Sequence, residues 1–433
     1  MSFSPYKLVF FRAKSYTRKH QLMKDKTVQN LIIKEEKRQK ETINLIASEN
    51  VASRDMREAL GSVFTNKYAE GYAGVRYYGG NTIIDELENL TKERALKLFI
   101  RQPADRNKWS VNIQPYSGSP ANLAVYHALV PIGGKIMGME LSMGGHLTHG
   151  HRVSVTGKLW KQIPYGVDKK TEKIDYKSLG QLAKKEKPNI IVAGATAYSR
   201  VIDFKKFREI ADVCGAILMV DMSHFAGLIA GGAYPSPFSY ADIITTTTHK
   251  TLRGPRAAMI FSKQEYAKAI DKAVFPGLQG GPHMNQIAAV AVALNEANKP
   301  EFKRYAKQIV KNAQALAVEL KKLGWRIISG GTDSHLFLVD TMAQDISGKT
   351  AGDALERVGI IVNKNTIPYD TRSPVDPSGI RIGTPAMTTR GMKEKEMKKI
   401  AELINATLRG MKSEIALVKE VKALAKKFNL NTK

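Results

Sequence analysis

Cysteine is all but missing: Cys214 is the only one in 433 residues, which excludes a disulfide within the chain. It closes the segment Phe204–Cys214, where apolar residues recur at helical spacing and Gly215 follows as a cap. A packing residue is therefore expected there, not a reactive thiol. Long apolar runs are missing too; none approaches the length of a membrane span, and a soluble chain is expected. Internal repeats and low-complexity tracts are absent, and no metal site is expected. The length exceeds what one core usually holds and predicts two or more structural units, for which a hydrophobic content of 43% is ample.

Negative charge is scarce as well. Forty Asp and Glu face 67 Lys and Arg, a net charge of +27, which raises nucleic-acid or anionic-surface binding as a function class. Much of the excess lies at the two ends. Lys7, Arg12, Lys14, Arg18, Lys19 and Lys24 precede the first acid, Asp25, while Lys393, Lys395, Lys398, Lys399, Lys419, Lys422, Lys426 and Lys427 interleave with Ile400, Leu403, Ile404, Leu408 and Ile415. Helical spacing makes the second group the solvated faces of packed helices, so nucleic-acid binding is disfavoured as the main function.

What is present centres on a lysine. Ile243-Ile244 and the β-branched run from Thr245 to Thr248 predict a strand, and Gly254-Pro255 breaks the chain soon after. Lys250 should emerge where that strand meets its loop, the edge at which open α/β sheets bind ligands. A desolvated lysine there can form a Schiff base with an aldehyde, pyridoxal phosphate being the usual one; a solvated loop lysine is the plainer alternative. Upstream, Ala216-Ile217-Leu218-Met219-Val220 reads as a buried parallel strand that stops at Asp221. A carboxylate there suits a pyridinium nitrogen, although a helix N-cap would also explain it. Between Trp109 and Gln114, an alternating stretch, and the helical pattern from Leu123 lies Pro115-Tyr116-Ser117-Gly118-Ser119-Pro120-Ala121-Asn122. Its small residues and hydroxyls suit a phosphate cup at a helix N-terminus.

From about Gln29 onward these segments resemble the serine hydroxymethyltransferase family. The likeness is carried by Asn44-Leu45-Ile46-Ala47-Ser48-Glu49-Asn50, by Asn66-Lys67-Tyr68-Ala69-Glu70-Gly71-Tyr72 with Arg76-Tyr77-Tyr78-Gly79-Gly80, and by Gly144-Gly145-His146-Leu147-Thr148-His149-Gly150. The lysine segment, Phe275-Pro276-Gly277-Leu278-Gln279-Gly280-Gly281-Pro282 and Gly379-Ile380-Arg381-Ile382-Gly383-Thr384-Pro385 complete the ordered set. The resemblance implies an α/β, fold-type I pyridoxal-phosphate transferase, with a large domain built on a mostly parallel, seven-stranded sheet and a smaller C-terminal α/β domain. It also implies reversible interconversion of serine and tetrahydrofolate with glycine and methylenetetrahydrofolate.

The same resemblance assigns the roles. Lys250 would anchor the cofactor with His249 and Thr247 beside it, Asp221 would pair with the pyridinium, and His146 would stack on the ring, unless it is a satisfied loop histidine. Ser117, Gly118 and Ser119 would bind the phosphate, and His224 would bond near the ring hydroxyl and substrate. Arg381 would grip the substrate carboxylate through its fork, with Ser48 and Tyr78 assisting; a structural salt bridge is the alternative. Glu70 would act as acid and base, or else be a loop carboxylate paired with Lys67 or Arg76. Tyr68, Gly280 and Gly281 would reach the phosphate of a neighbouring subunit, which implies a homodimer or homotetramer. The pterin would lie against Leu141, Gly145, His146 and Leu147, with Asn365 and Ser373-Pro374-Val375 closing over it.

The likeness fades upstream of about Met23. Residues 1–23 form a basic leader of doubtful status, which superficially suits an organellar transit peptide, and a cytoplasmic protein is the expectation. Residues 24–53 are read as an N-terminal helix and arm, 54–299 as the large cofactor-binding domain and 300–433 as the small one. Helices are predicted at 27–41, 54–64, 85–99, 285–298 and 301–322, and strands at 326–329, 335–340 and 359–363. Three departures bear on the pterin: Tyr72-Ala73-Gly74-Val75-Arg76 lacks the family's usual proline and lysine, Ala257-Ala258 replaces a small glycine or serine pair after Arg256, and Val375 stands where many members carry phenylalanine. They leave open a modified pterin, or a pterin-independent aldolase of β-hydroxy amino acids with the same fold.

Overall fold

The computed structural model describes residues 23–428. All of the proposed leader except Met23 lies outside the described residues.

Seven strands build the main sheet: β1 (Trp109–Asn112), β2 (Lys135–Met139), β3 (Lys161–Tyr165), β4 (Ile190–Gly194), β5 (Ile217–Asp221), β6 (Ile243–Thr247) and β7 (Ala258–Lys263). Their spatial order is β1-β7-β6-β5-β4-β2-β3. The five central and far strands run parallel, while β7 runs antiparallel to both β6 and β1. Helices cover both faces, so the inner strands are apolar along their length; β4 and β6 have no residue outside the core. Ile243 and Ile244 are wholly buried, each contributing about 1.5–3 kcal/mol, and a charge at either position would break the sheet. The threonines that follow are buried because their hydroxyls are satisfied: Thr245 donates to Asn122 Oδ1 at 2.7 Å, and Thr246 to the Thr247 carbonyl at 2.8 Å.

Most strands are shorter than expected, while the one expected at 216–220 is shifted by a residue. β5 includes Asp221, so the acid is the last residue of the strand and not the first of the loop. Helix Gly118–Leu129 starts five residues before the periodicity predicts, which puts Gly118 and Ser119 in its first turn. The helix expected at 54–64 ends at Leu60; Gly61 caps it, and a 3-10 turn, Val63–Asn66, follows. The loop before Asn81 contains a two-rung hairpin, Gly71–Tyr72 against Val75–Arg76. Helix Thr82–Phe99 begins earlier than expected, with Asn81 at its N-cap. Cys214 is half-buried and hydrogen-bonds back to the Ile210 carbonyl at 3.4 Å, and Gly215 adopts the left-handed cap at φ 68°.

The second sheet has four strands, β8 (Arg326–Ile327), β9 (Leu336–Asp340), β10 (Asn363–Asn365) and β11 (Gly379–Gly383), ordered β8-β9-β11-β10 and antiparallel throughout. The strand expected at 359–363 is split: Ile360–Ile361 pairs with Ile43–Asn44 of the N-terminal arm, and the remainder starts β10. Helix Pro300–Lys322 links the two cores. Phe302, Tyr305, Ala306 and Ile309 pack in the first, and Leu316, Ala317 and Leu320 in the second. No described helix is long and apolar enough to cross a membrane.

Candidate functional site

A cavity of about 430 Å³ opens where the carboxyl ends of β2, β4, β5 and β6 converge. Each strand feeds it in turn: His146 and His149 follow β2, Ala195 and Thr196 follow β4, Asp221 ends β5, and Thr247 ends β6 ahead of His249 and Lys250. The arm supplies Ser48, and β11 supplies Arg381 from the second sheet.

Asp221 lies in its floor. The carboxylate accepts from Asn122 Nδ2 at 2.9 Å, His149 Nε2 at 3.1 Å and the Ser223 amide at 3.1 Å. Burial works to raise its pKa, but the His149 hydrogen bond and charge, with His146 and Ser223, outweigh that and hold it well below the usual carboxylate range. His149 receives the His146 amide on Nδ1 at 3.4 Å, which leaves its own proton on Nε2, facing the acid. The N-cap alternative for Asp221 is excluded, since the following short helix is capped by Phe225 and Asp221 spends its oxygens within the site.

Lys250 is anchored through its backbone, whose carbonyl accepts from Asn50 Nδ2 at 2.9 Å. Burial lowers its pKa from 10.5 to about 8; Asp221 opposes that fall, and Arg381 and Arg256 add to it. It is not a solvated loop lysine. Its neighbour His249 is lowered to about 3 by burial and by Lys250, and His146 to about 4 by burial and His149. His146 accepts the Thr148 amide on Nδ1 at 3.2 Å, so its ring is fixed from one edge.

Ser117 is the N-cap of helix Gly118–Leu129, yet its side chain makes no cap bond, which leaves the hydroxyl for a ligand. A Cβ on Gly118 would come within 2.6 Å of Thr247 Cγ2, so only glycine fits this approach. Thr247 is held by its amide, which donates to Ser223 Oγ at 3.0 Å. Arg381 donates from Nε to Asn363 Oδ1 at 3.1 Å and from Nη1 to the Thr196 carbonyl at 2.8 Å. Both partners are neutral and no carboxylate pairs with it among the described residues, which rules out the structural salt bridge. Burial lowers its pKa from 12.5 to about 10.

Lys250, Asp221, His146, His224, His249, Thr247, Ser117, Gly118, Ser119, Ser48 and Arg381 thus share one cavity wall. The other expected residues gather elsewhere. Glu70, Tyr68, Tyr78, Gly280 and Gly281 form a second group: the Tyr68 and Tyr78 rings lie 4.9 Å apart, and Cβ atoms on Gly280 and Gly281 would sit 3.2 Å from Glu70 Oε1 and Tyr68 Cε1. Glu70 is not paired with Arg76, which instead binds Asp85 at 2.9 Å and the fully buried Glu88 at 2.5 Å. Lys67 is likewise turned to the carbonyls of Tyr68 and Gly79. The Tyr68 hydroxyl is held above its ordinary range by the Glu70 charge.

Of the residues expected around a pterin, only His146 lines the cavity. Gly145 is buried beneath it, where a Cβ would meet the Met139 carbonyl at 2.0 Å. Leu147 and Val375 are exposed, Leu141 is half-buried, and Asn365 Nδ2 is turned to the Thr366 carbonyl. Ser373 and Pro374 sit in the exposed loop after β10, with Ser373 Oγ accepting the Val375 amide.

Sequence reasoning did not assign roles to Asn122, His149, Thr196, Ser223, Arg256 or His335. Asn122 and His149 stood inside quoted motifs, and a second donor beside Asp221 could have been sought there. Thr196 and His335 carry no local signal, because only the tertiary fold brings Thr196 to the cavity and sets His335 behind it, against His224.

The model of one protein family, serine hydroxymethyltransferase, matches residues 22–404. That span contains both sheets and every residue of the cavity wall. Members of this family are fold-type I enzymes that depend on pyridoxal phosphate, use folate and transfer a hydroxymethyl group between serine and glycine. With its mostly parallel seven-stranded sheet and its match through nearly the whole length, this chain belongs to the serine hydroxymethyltransferase family.

Proposed function

We propose that the protein interconverts serine and glycine, passing the hydroxymethyl carbon to tetrahydrofolate with pyridoxal phosphate held at Lys250. The observation that carries this reading is a cation without an anion: Arg381, largely buried at the cavity wall beside Lys250, keeps part of its fork free of any carboxylate. A buried charge of this kind is stabilised by an anionic ligand, and the α-carboxylate of an amino acid fits.

The residues present also suit the cofactor. Ser117 offers an uncapped hydroxyl at a helix N-terminus for a phosphate, Gly118 keeps the approach clear, and Asp221 offers a carboxylate held ionised for a pyridinium nitrogen. When bound, pyridoxal phosphate supplies an electron sink for the carbon that loses the hydroxymethyl group. The protein's part is positioning and proton handling. Lys250, its pKa lowered to about 8, holds far more unprotonated amine near neutral pH than an ordinary lysine does. Asp221 holds the nitrogen side through a charge kept by Asn122, His149 and Ser223. His146, at the cavity wall, would pack against the bound cofactor and limit water, and Arg381 with Ser48 would hold and orient the substrate carboxylate.

Glu70 takes and returns the proton of the serine hydroxyl, and it does so in the cavity of a second chain. In support, Glu70, Tyr68, Gly280 and Gly281 cluster outside their own cavity, on a surface where Tyr68, Val75, Tyr77 and Tyr78 are 55, 69, 75 and 48% exposed. A homodimer, alone or within a tetramer, would cover these rings and complete both sites. We place the domain boundary at the start of helix Pro300–Lys322 and the enzyme in the cytoplasm.

The test is glycine formation from serine by the purified protein with and without tetrahydrofolate. Product that depends on tetrahydrofolate supports the reading. Equal rates without it would assign a pterin-independent aldolase, and a requirement for another reduced pterin would trace to the departures at Val75, Ala257 and Val375.

A further inference from the structure

Behind the cavity wall stands a second imidazole that the chemistry above does not use. His335 lies at the turn into β9, with its carbonyl accepting the Thr384 amide at 3.1 Å, and it is buried with 1% of its surface exposed. Its Nε2 lies 3.1 Å from Nδ1 of His224, the two rings 5.4 Å apart and inclined by 30°. His224 is equally fixed, since its carbonyl accepts the Thr251 hydroxyl at 2.8 Å, and it lines the cavity.

One hydrogen bond between two neutral imidazoles can be made in two ways. Both rings are neutral in the ligand-free protein: burial, with Lys250 and Arg381 nearby, holds His335 at about 3 and His224 well below its usual value. If His224 donated from Nδ1, His335 would carry its proton on Nδ1. That atom is buried and has no hydrogen-bond partner. An N–H left so costs about 1–3 kcal/mol, whereas a bare ring nitrogen in the same place carries a smaller penalty. The reverse arrangement leaves no buried donor without a partner: His335 donates from Nε2, His224 accepts on Nδ1, and the His224 proton moves to Nε2, which is not among the buried unpartnered atoms of this cavity-lining ring.

We propose that His335 is a positioning residue that sets the tautomer of His224, making it an obligate hydrogen-bond donor to whatever occupies the cavity. The group facing His224 must then be an acceptor, such as an ionised ring oxygen or a carboxylate oxygen. This identification of the ligand rests on the proposed function; the tautomer itself does not.

The experiment is long-range proton–nitrogen NMR on the cofactor-free protein labelled with 15N-histidine, the His224 signals being assigned by their loss in His224→Gln. Wild type should show His224 protonated on Nε2. His335→Gln, whose amide can donate from the same place, should keep that tautomer, and His335→Leu should release a mixture or convert it to Nδ1–H. Cofactor affinity should fall roughly tenfold in His335→Leu, the loss of one hydrogen bond, and return in His335→Gln. A wild-type His224 protonated on Nδ1 overturns the proposal, as does an unchanged tautomer in a folded His335→Leu; should that variant not fold, the wild-type spectrum alone decides. If the tautomers are as stated but no serine is turned over, the functional reading falls and this one stands.

Discussion

Replacing Arg381 by methionine should move stability and binding in opposite directions. Its burial lowers the pKa from 12.5 to about 10, which at about 1.4 kcal/mol per pH unit places about 3 kcal/mol against the charged form in the folded protein. Methionine removes that cost but strips the Thr196 carbonyl and Asn363 Oδ1 of their donor, about 1 kcal/mol each. The ligand-free variant should therefore be about as stable as wild type or more stable by about 1 kcal/mol. Binding changes the other way. Loss of a two-pronged, charge-assisted contact to a carboxylate is worth about 3 kcal/mol or more, so the Kd for serine or glycine should rise at least roughly 100-fold. Thermal melting of the ligand-free protein, with amino-acid titrations of both forms, reads the two effects separately. Wild-type affinity in Arg381→Met, or a melting point lowered as it would be by a broken structural ion pair, would refute the reasoning.

Lys250 should capture aldehydes with an apparent pKa near 8: its folded pKa lies below the ordinary 10.5, so the reactive neutral amine is present above about 8 and lost as pH falls through it. Stopped-flow uptake of pyridoxal phosphate by the cofactor-free protein checks this, and a midpoint near 10.5 would count against a desolvated lysine. Gly118→Ala should weaken cofactor binding roughly tenfold through its clash with Thr247 Cγ2, and adding Thr247→Ser, which removes that methyl, should restore most of it; fluorescence titration decides. Arg76→Met should cost about 3 kcal/mol by leaving Glu88, wholly buried, with only Lys92 and Gln114. Glu88→Leu in the same chain should recover most of the loss, and a single variant as stable as wild type in calorimetry would contradict that role for the pair.

Much of the site was legible because its parts end strands. An apolar run announced β5 and a β-branched run β6, and the residues that end or follow them, Asp221 and Lys250, are the ones the sheet delivers to its carboxyl edge. Gly118 and Ser119 were legible as a small-residue turn, though not as the first turn of a helix, because Pro120 and the two small residues before it carry no apolar periodicity. The network that keeps Asp221 ionised was not legible, since Asn122 and His149 reach it from 99 and 72 residues away. Nor were Thr196 and His335, whose loops meet only where the second sheet docks on the first. The fate of Glu70 was half legible: the charged neighbourhood was plain, but Arg76 turned to Asp85 and Glu88 one and two helical turns into the next helix. The short 3-10 and hairpin segments near 61–76 were missed because each is held by a few local bonds and by packing, not by a periodic apolar face.

The central claim is that Lys250, three residues beyond the end of β6, is the amine that holds the cofactor. Borohydride reduction of the protein incubated with pyridoxal phosphate, followed by digestion and mass spectrometry of the peptides, tests it most directly. The account predicts one stoichiometric pyridoxyl-phosphate adduct, on the peptide carrying Lys250, and its loss with the visible absorbance in Lys250→Ala. An adduct on another lysine, or full labelling in that variant, would contradict it.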